Sequence, residues 1–178
     1  VGFPPAMRGQ RMWGYGTQLY SVTSKESWGI GDLADLADLI TWSGTKQFAG
    51  YVLINPLHAA QPVPPMEPSP YLPASRRFIN PIYIRPEAIE EYATLKRSVR
   101  TRIKALRRQA QSAAETSGFV DRDAIWPLKI EALRLIHEAG MRSARRIAYE
   151  DFRRREGIGN QQRASSYAAG AEPTSADR

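Results

Sequence analysis

Cysteine is absent from the 178 residues, and histidine nearly so, with only His58 and His137. Without cysteine there is no disulfide, no thiolate nucleophile and no cysteine-ligated zinc. Two histidines alone do not build a His-rich metal site. Long apolar runs are also lacking: the longest falls far short of the ~18 residues that span a bilayer. The opening VGFPPAMRGQRM holds no apolar stretch of the signal-peptide kind, so neither a membrane span nor a secretory leader is expected. A phosphate-cradling loop is missing too. Gly29 and Gly31 stand in SWGIGD without a GxGxxG or GxxxxGK pattern.

What is present is enough for one domain with a real core: 42% hydrophobic and 24% charged residues. The net charge of +7 is unevenly placed. Residues 1–84 hold six Lys+Arg against five Asp+Glu, and residues 85–178 hold 19 against 13. Any acidic partner would therefore be met by the second half.

Three textures follow one another. Residues 15–22 (YGTQLYSV) suit a strand. Asp32 can cap a helix whose Leu33, Leu36, Ala37, Leu39 and Ile40 share one side, with Gly44 as the expected stop. Residues 51–55 (YVLIN) read as a buried parallel strand, completing a βαβ unit. Residues 56–79 carry seven prolines and read as a stiff connection without secondary structure, the kind of loop that is functional or disordered. Residues 82–84 look like a short strand.

From Pro86 the pattern is helical, with Glu87, Glu90 and Glu91 near a helix start. Residues 94–114 place Val99, Ile103, Leu106 and Ala110 in an apolar stripe. Asp121 or Asp123 caps a further helix to Gly140, with Ile125, Leu128, Leu133 and Ile136 toward a core and Pro127 expected in its first turn. Ser143 caps a last helix anchored by Ile147 and Phe152. Residues 158–178 have no periodicity and read as a disordered or non-native tail.

Few side chains invite chemistry. His58 lies just after the second strand, at the end where α/β sheets and barrels bind ligands. His137 suits a helix C-terminus. Asp32, Asp35 and Asp38 read as a solvated helix side, and Glu67 is a loop carboxylate with no second tuned group evident. The basic run 96–108 (KRSVRTRIKALRR) could hold phosphates, but no aromatics interleave to stack bases, so it reads as a solvated face. A basic helical nucleic-acid module remains the alternative from another class. Tyr71, set between Pro70 and Pro73, offers a ring and a hydroxyl of the sort that stack on a sugar.

Two stretches carry a resemblance: WGYGTQLYSVTSKESWGIGDLADLADLI and PLHAAQPVPPMEPSPYLPASRRFINPIYI. In this order they resemble the start of the catalytic domain of 4-alpha-glucanotransferases, the amylomaltase or disproportionating-enzyme family, most closely its actinobacterial members. The resemblance spans roughly residues 13–157. It implies an α/β fold: an incomplete (β/α)8 TIM barrel in residues 1–84, comprising the first βαβ unit and the proline-rich loop, followed by a helical insertion in 85–157.

It also implies transfer of α-1,4-glucan segments between maltooligosaccharides with retention, through two carboxyls about 5–5.5 Å apart. No cofactor and no metal belong to that mechanism, and a cytoplasmic setting is expected. Ser69, Pro70 and Tyr71 match the SPY element bordering the donor side of the glucan cleft. Ser69 and Tyr71 are thus expected substrate contacts, and His58 joins them for its place at the strand end, since the resemblance transfers no role to it. Asn80 and Pro81 match the NP that turns the chain back. An eight-stranded barrel needs ~250 residues, so the nucleophile and the acid/base are expected outside this chain, and the chain is expected to be an N-terminal fragment. A non-catalytic glucan-binding remnant is the other alternative.

Overall fold

A computed structural model describes residues 11–156; the expectation for residues 158–178 lies outside them. Strand β1 (Gly14–Gly16) lies parallel to β2 (Tyr51–Leu53), with Tyr15 opposite Val52. Between them runs α1 (Leu33–Gln47), so the βαβ unit is present. Asp32 closes a capping box: its carboxylate accepts from the Ala34 and Asp35 amides, while Asp35 accepts from the Asp32 amide. Such caps stabilise a helix by about 1 kcal/mol.

Several expectations change at this level. Only Tyr15 and Gly16 of the 15–22 stretch pair as a strand; Leu19–Ser21 forms a 3-10 turn. The chain leaves the ladder because the Leu19 amide is taken by the Asn55 side chain at 2.6 Å and Tyr20 O accepts from the Gly31 amide. Helix α1 does not stop at Gly44 but runs to Gln47, where Phe48 takes a left-handed conformation. The proline-rich stretch is not structureless: β3 (His58–Ala59) and β4 (Ser75–Ile79) pair antiparallel at its two ends. The strand expected at 82–84 is a 3-10 turn, Pro81–Tyr83, opened by Pro81 and capped by the Asn80 side chain on the Ile82 amide. Proline at the first position and an Asn cap favour the turn over a ladder strand.

Helix does not begin at Pro86 either. Two 3-10 turns, Pro86–Ala88 and Glu90–Thr94, precede α2 (Arg97–Ser117). Asp121 caps α3 (Arg122–Glu138) through the Ala124 amide, and Pro127 sits just past its first turn. Helix α4 (Ser143–Glu156) follows. Its expected anchors Ile147 and Phe152 are exposed, and Arg142 and Arg145 tie it to Glu90 and Glu91 by ion pairs.

One apolar cluster runs through both halves of the described chain. Leu19, Trp28, Ile30, Ile82 and Tyr83 pack with Ile103, Leu106 and Ala110 of α2 and with Ile125, Ala132 and Ile136 of α3. Leu128 packs partly against it and Leu133 is half-buried. The β1–β2 sheet stands apart from this cluster. Tyr51 and Leu53, expected in a buried strand, are exposed.

Candidate functional site

The C-terminal ends of β1 and β2 are fixed by Asn55. This buried amide accepts from Leu19 N and donates to the Pro56 carbonyl at 2.8 Å and the Tyr83 hydroxyl at 3.2 Å. It holds the exits of both strands against the turn after β4. Burial pushes the Tyr83 hydroxyl up from its usual range, with Asn55 and Arg122 opposing in part.

The loop carrying Tyr71 is built by short local bonds. Glu67 Oε1 accepts from the Ser69 amide at 2.9 Å, and Ser69 Oγ accepts from the Tyr71 amide at 3.3 Å. Glu67 thereby has a structural role that the sequence did not suggest. Upstream, the buried Met66 donates its amide to Asp123 Oδ1 at 2.8 Å, fastening the loop to α3. Tyr71 itself is 57% exposed. Gln18 Nε2, just past β1, donates to the Tyr71 hydroxyl at 3.3 Å, orienting the phenol from the strand end.

His58 and Ser69 come together on one cavity, with Glu67, Asn80, Tyr83 and Arg122 also lining it. At about 20 Å³ it has room for about one water molecule, far below the volume of a ligand pocket. Tyr71 is not among its lining residues. The three expected contacts thus fall in two places: His58 and Ser69 at a narrow polar cavity, and Tyr71 on the open surface beside Gln18. Above the cavity wall, the Arg122 guanidinium lies 5.0 Å from the Tyr20 ring centroid.

Behind the strand ends lies an ionic cluster. Asp32 and Asp35 are buried, not a solvated helix side. Arg85 bridges them, Nε to Asp32 at 2.9 Å and Nη2 to Asp35 at 2.7 Å. Burial alone would raise the Asp35 carboxyl, but the Ser24 and Ser27 hydroxyls and Arg85 outweigh it and hold it low. Lys129 of α3, 0% exposed, donates Nζ to the Ile82 carbonyl at 2.6 Å, and burial brings its pKa down to about 8. Glu87 accepts from Trp28 Nε1 at 2.9 Å. With their partners this close, these carboxylates hold the fold and are not a free acid and base.

Asn55, Gln18, Arg85 and Lys129 escaped the sequence reading. Lys129 left a signal, a lone charge in the stripe Ile125, Lys129, Ala132, Ile136; Gln18 and Asn55 were hidden by ordinary strand-end composition. Among the described residues no group of three or more His, Cys, Asp or Glu is placed to hold a metal ion. No helix among them is long and apolar enough to cross a membrane.

The basic face of α2 is partly spent on acids. Arg102 pairs with Glu131 at 2.7 Å, and Arg107 pairs with Glu26 and Glu87.

Residues 17–169 match the family described as 4-alpha-glucanotransferase. The 4-alpha-glucanotransferase of Mycobacterium tuberculosis (strain ATCC 25618 / H37Rv) is 50% identical over 163 residues, covering 88% of this chain and 22% of that protein. That of Haemophilus influenzae (strain ATCC 51907 / DSM 11121 / KW20 / Rd) is 42% identical over 141 residues, 79% of this chain and 20% of that protein. The crystal structure of amylomaltase from Corynebacterium glutamicum superposes with a TM-score of 0.76 at 37% identity, over 94% of this chain and 24% of that one. The chain spans about a fifth of the length of the curated relatives it matches. By sequence and by fold, it belongs to the 4-alpha-glucanotransferase family.

Proposed function

We propose that this chain supplies the first strands and the donor-side loop of a 4-alpha-glucanotransferase, an enzyme that moves α-1,4-glucan segments between maltooligosaccharides with retention. The reading extends the family membership to an activity by one observation: the half-exposed Tyr71 ring, with its hydroxyl held by Gln18 at the end of β1. An aromatic face held by short bonds suits one side of a glucosyl ring. Ser69 positions the Tyr71 backbone, and His58 lines the adjoining water-sized cavity. The β1–α1–β2 unit is then the opening of a (β/α)8 barrel, with substrate meeting the C-terminal ends of its strands. The reading needs no cofactor and puts the enzyme with cytoplasmic glucan metabolism. The nucleophile and acid/base come from polypeptide beyond this chain.

Two proteins test this. One is the chain alone. The other is the Mycobacterium tuberculosis relative with its matched 163-residue segment replaced by the corresponding residues of this chain. The replacement protein should release glucose from maltotriose and the chain alone should not. A folded, inactive replacement protein, or turnover by the purified chain alone, would sink the reading.

A further inference from the structure

Gln18 is held at the end of β1 from both sides. The Thr17 amide donates to the Leu53 carbonyl at 2.9 Å, and the Leu19 amide donates to Asn55 Oδ1 at 2.6 Å. The Gln18 carbonyl accepts from the Ser21 amide at 3.0 Å and from the Ser21 hydroxyl at 2.8 Å. The backbone under this side chain is therefore tied to β2 and to the turn that follows. From that fixed base the side chain reaches Tyr71, 53 residues away.

Two features set the side chain apart from a packing residue. Nε2 donates to the Tyr71 hydroxyl at 3.3 Å, so the phenol oxygen is the acceptor of this pair. A hydroxyl that accepts from one neighbour turns its own proton away from it, here toward the open side of a ring that is 57% exposed. The second feature is Oε1, which is buried with no hydrogen-bond partner among the described residues. Burying an unpartnered carbonyl opposes folding, and a methionine of the same length would avoid that loss. What the glutamine supplies in exchange is the N–H toward Tyr71.

We propose that Gln18 is a positioning residue of the transferase. By donating to the Tyr71 hydroxyl it makes that hydroxyl a hydrogen-bond donor, aimed at an acceptor oxygen of the glucosyl unit against the ring. Gln18 touches no substrate and acts only through Tyr71. The proposal rests on the functional reading for the identity of the ligand.

The replacement protein carries the test, as a double-mutant cycle on maltotriose turnover. Gln18→Met keeps the length of the side chain and removes the N–H. It should lower kcat/KM by about fivefold, the usual worth of one neutral hydrogen bond. Tyr71→Phe keeps the ring, removes the hydroxyl and should lower kcat/KM at least as much. In the Tyr71→Phe background Gln18→Met should change turnover no further, because the group it acts through is gone. Gln18→Glu decides the direction of the bond. A carboxylate only accepts, so it still holds the ring but takes the Tyr71 proton, and this variant should do no better than Gln18→Met. Each variant is assayed below its own melting temperature, which keeps unfolding out of the comparison.

Losses that multiply in the double variant overturn the proposal, since a merely structural Gln18 would act independently of the Tyr71 hydroxyl. Wild-type turnover by Gln18→Glu or by Gln18→Met overturns it as well. Tyr71→Phe without effect does the same, and leaves the stacking role of the ring, read by Tyr71→Ala, untouched. A folded but inactive replacement protein retires the functional reading and this proposal with it.

Discussion

Arg85 Nε donates to the Asp32 carboxylate at 2.9 Å, joining the turn after β4 to the N-cap of α1 across 53 residues. The same guanidinium reaches Asp35 at 2.7 Å. Both acids are buried and both also serve the capping box. One side chain therefore neutralises two carboxylates that the helix start needs in place.

Removing that side chain leaves two buried carboxylates without their ion-pair partner. Breaking a buried pair from one side costs about 3–5 kcal/mol, so Arg85→Met should lower the urea midpoint severely. Arg85→Lys keeps the charge but loses the two-pronged geometry and should fall between. A midpoint for Arg85→Met equal to wild type would show that the pair contributes nothing net.

Lys129 gives a pH dependence of definite sign. Its pKa in the fold is about 8, against 10.5 for an ordinary lysine, because burial disfavours the ammonium; Asp32, Asp35 and Glu87 oppose that shift and Arg85 adds to it. Between these two values the unfolded chain keeps a proton that the folded chain has released. Stability should therefore rise as pH climbs from about 8 toward 10.5, and the gain is absent below 8. The Tyr83 hydroxyl is pushed above its usual 10.0, so its ionisation opposes folding only at the top of this window. Urea midpoints across the window should climb for the wild type and climb less for Lys129→Met. Parallel slopes would retire the assignment.

Gly29 has φ +76°, and a Cβ there would lie 2.7 Å from both the Ala110 carbonyl oxygen and the Ala114 methyl of α2. Its neighbours Trp28 and Ile30 are fully buried, so the loop cannot move aside without opening the core. Gly29→Ala should destabilise the chain by at least the ~1–3 kcal/mol of a strained backbone, read as a lower melting temperature. An unchanged melt would mean that the loop re-seats freely.

Tyr71 separates a substrate role from a packing role. In the replacement protein, Tyr71→Ala removes a stacking surface worth roughly 1–3 kcal/mol by analogy with other aromatic platforms. Transfer should fall by about one to two orders of magnitude at 1.36 kcal/mol per tenfold. With the ring 57% exposed, the melting temperature should barely change. Lost stability with normal turnover would make Tyr71 a packing residue.

The residues alone determined whatever depends on neighbours a few positions away. Asp32 and Asp121 cap α1 and α3 because a short carboxylate reaches the amides two or three residues on. Ile103, Leu106 and Ala110 face the core of α2 because helical spacing puts them together. Tyr71 could be singled out by its place in SPY as a candidate, but the Gln18 side chain that bonds its hydroxyl could not.

Tertiary structure decided what depends on distant partners. Residues 19–21 leave the strand because Asn55, 36 residues away from Leu19, offers a better bond than the ladder does. The β3–β4 hairpin pairs segments too short and too polar to show alternation. Asp32 and Asp35 look solvated on a helical wheel, and are buried because Arg85 arrives from the far side of the proline-rich stretch. Lys129 looks like an interruption of an apolar stripe until the free Ile82 carbonyl appears above it. A charge is buried only where a partner waits, and no local pattern records where a partner 50 residues away will stand.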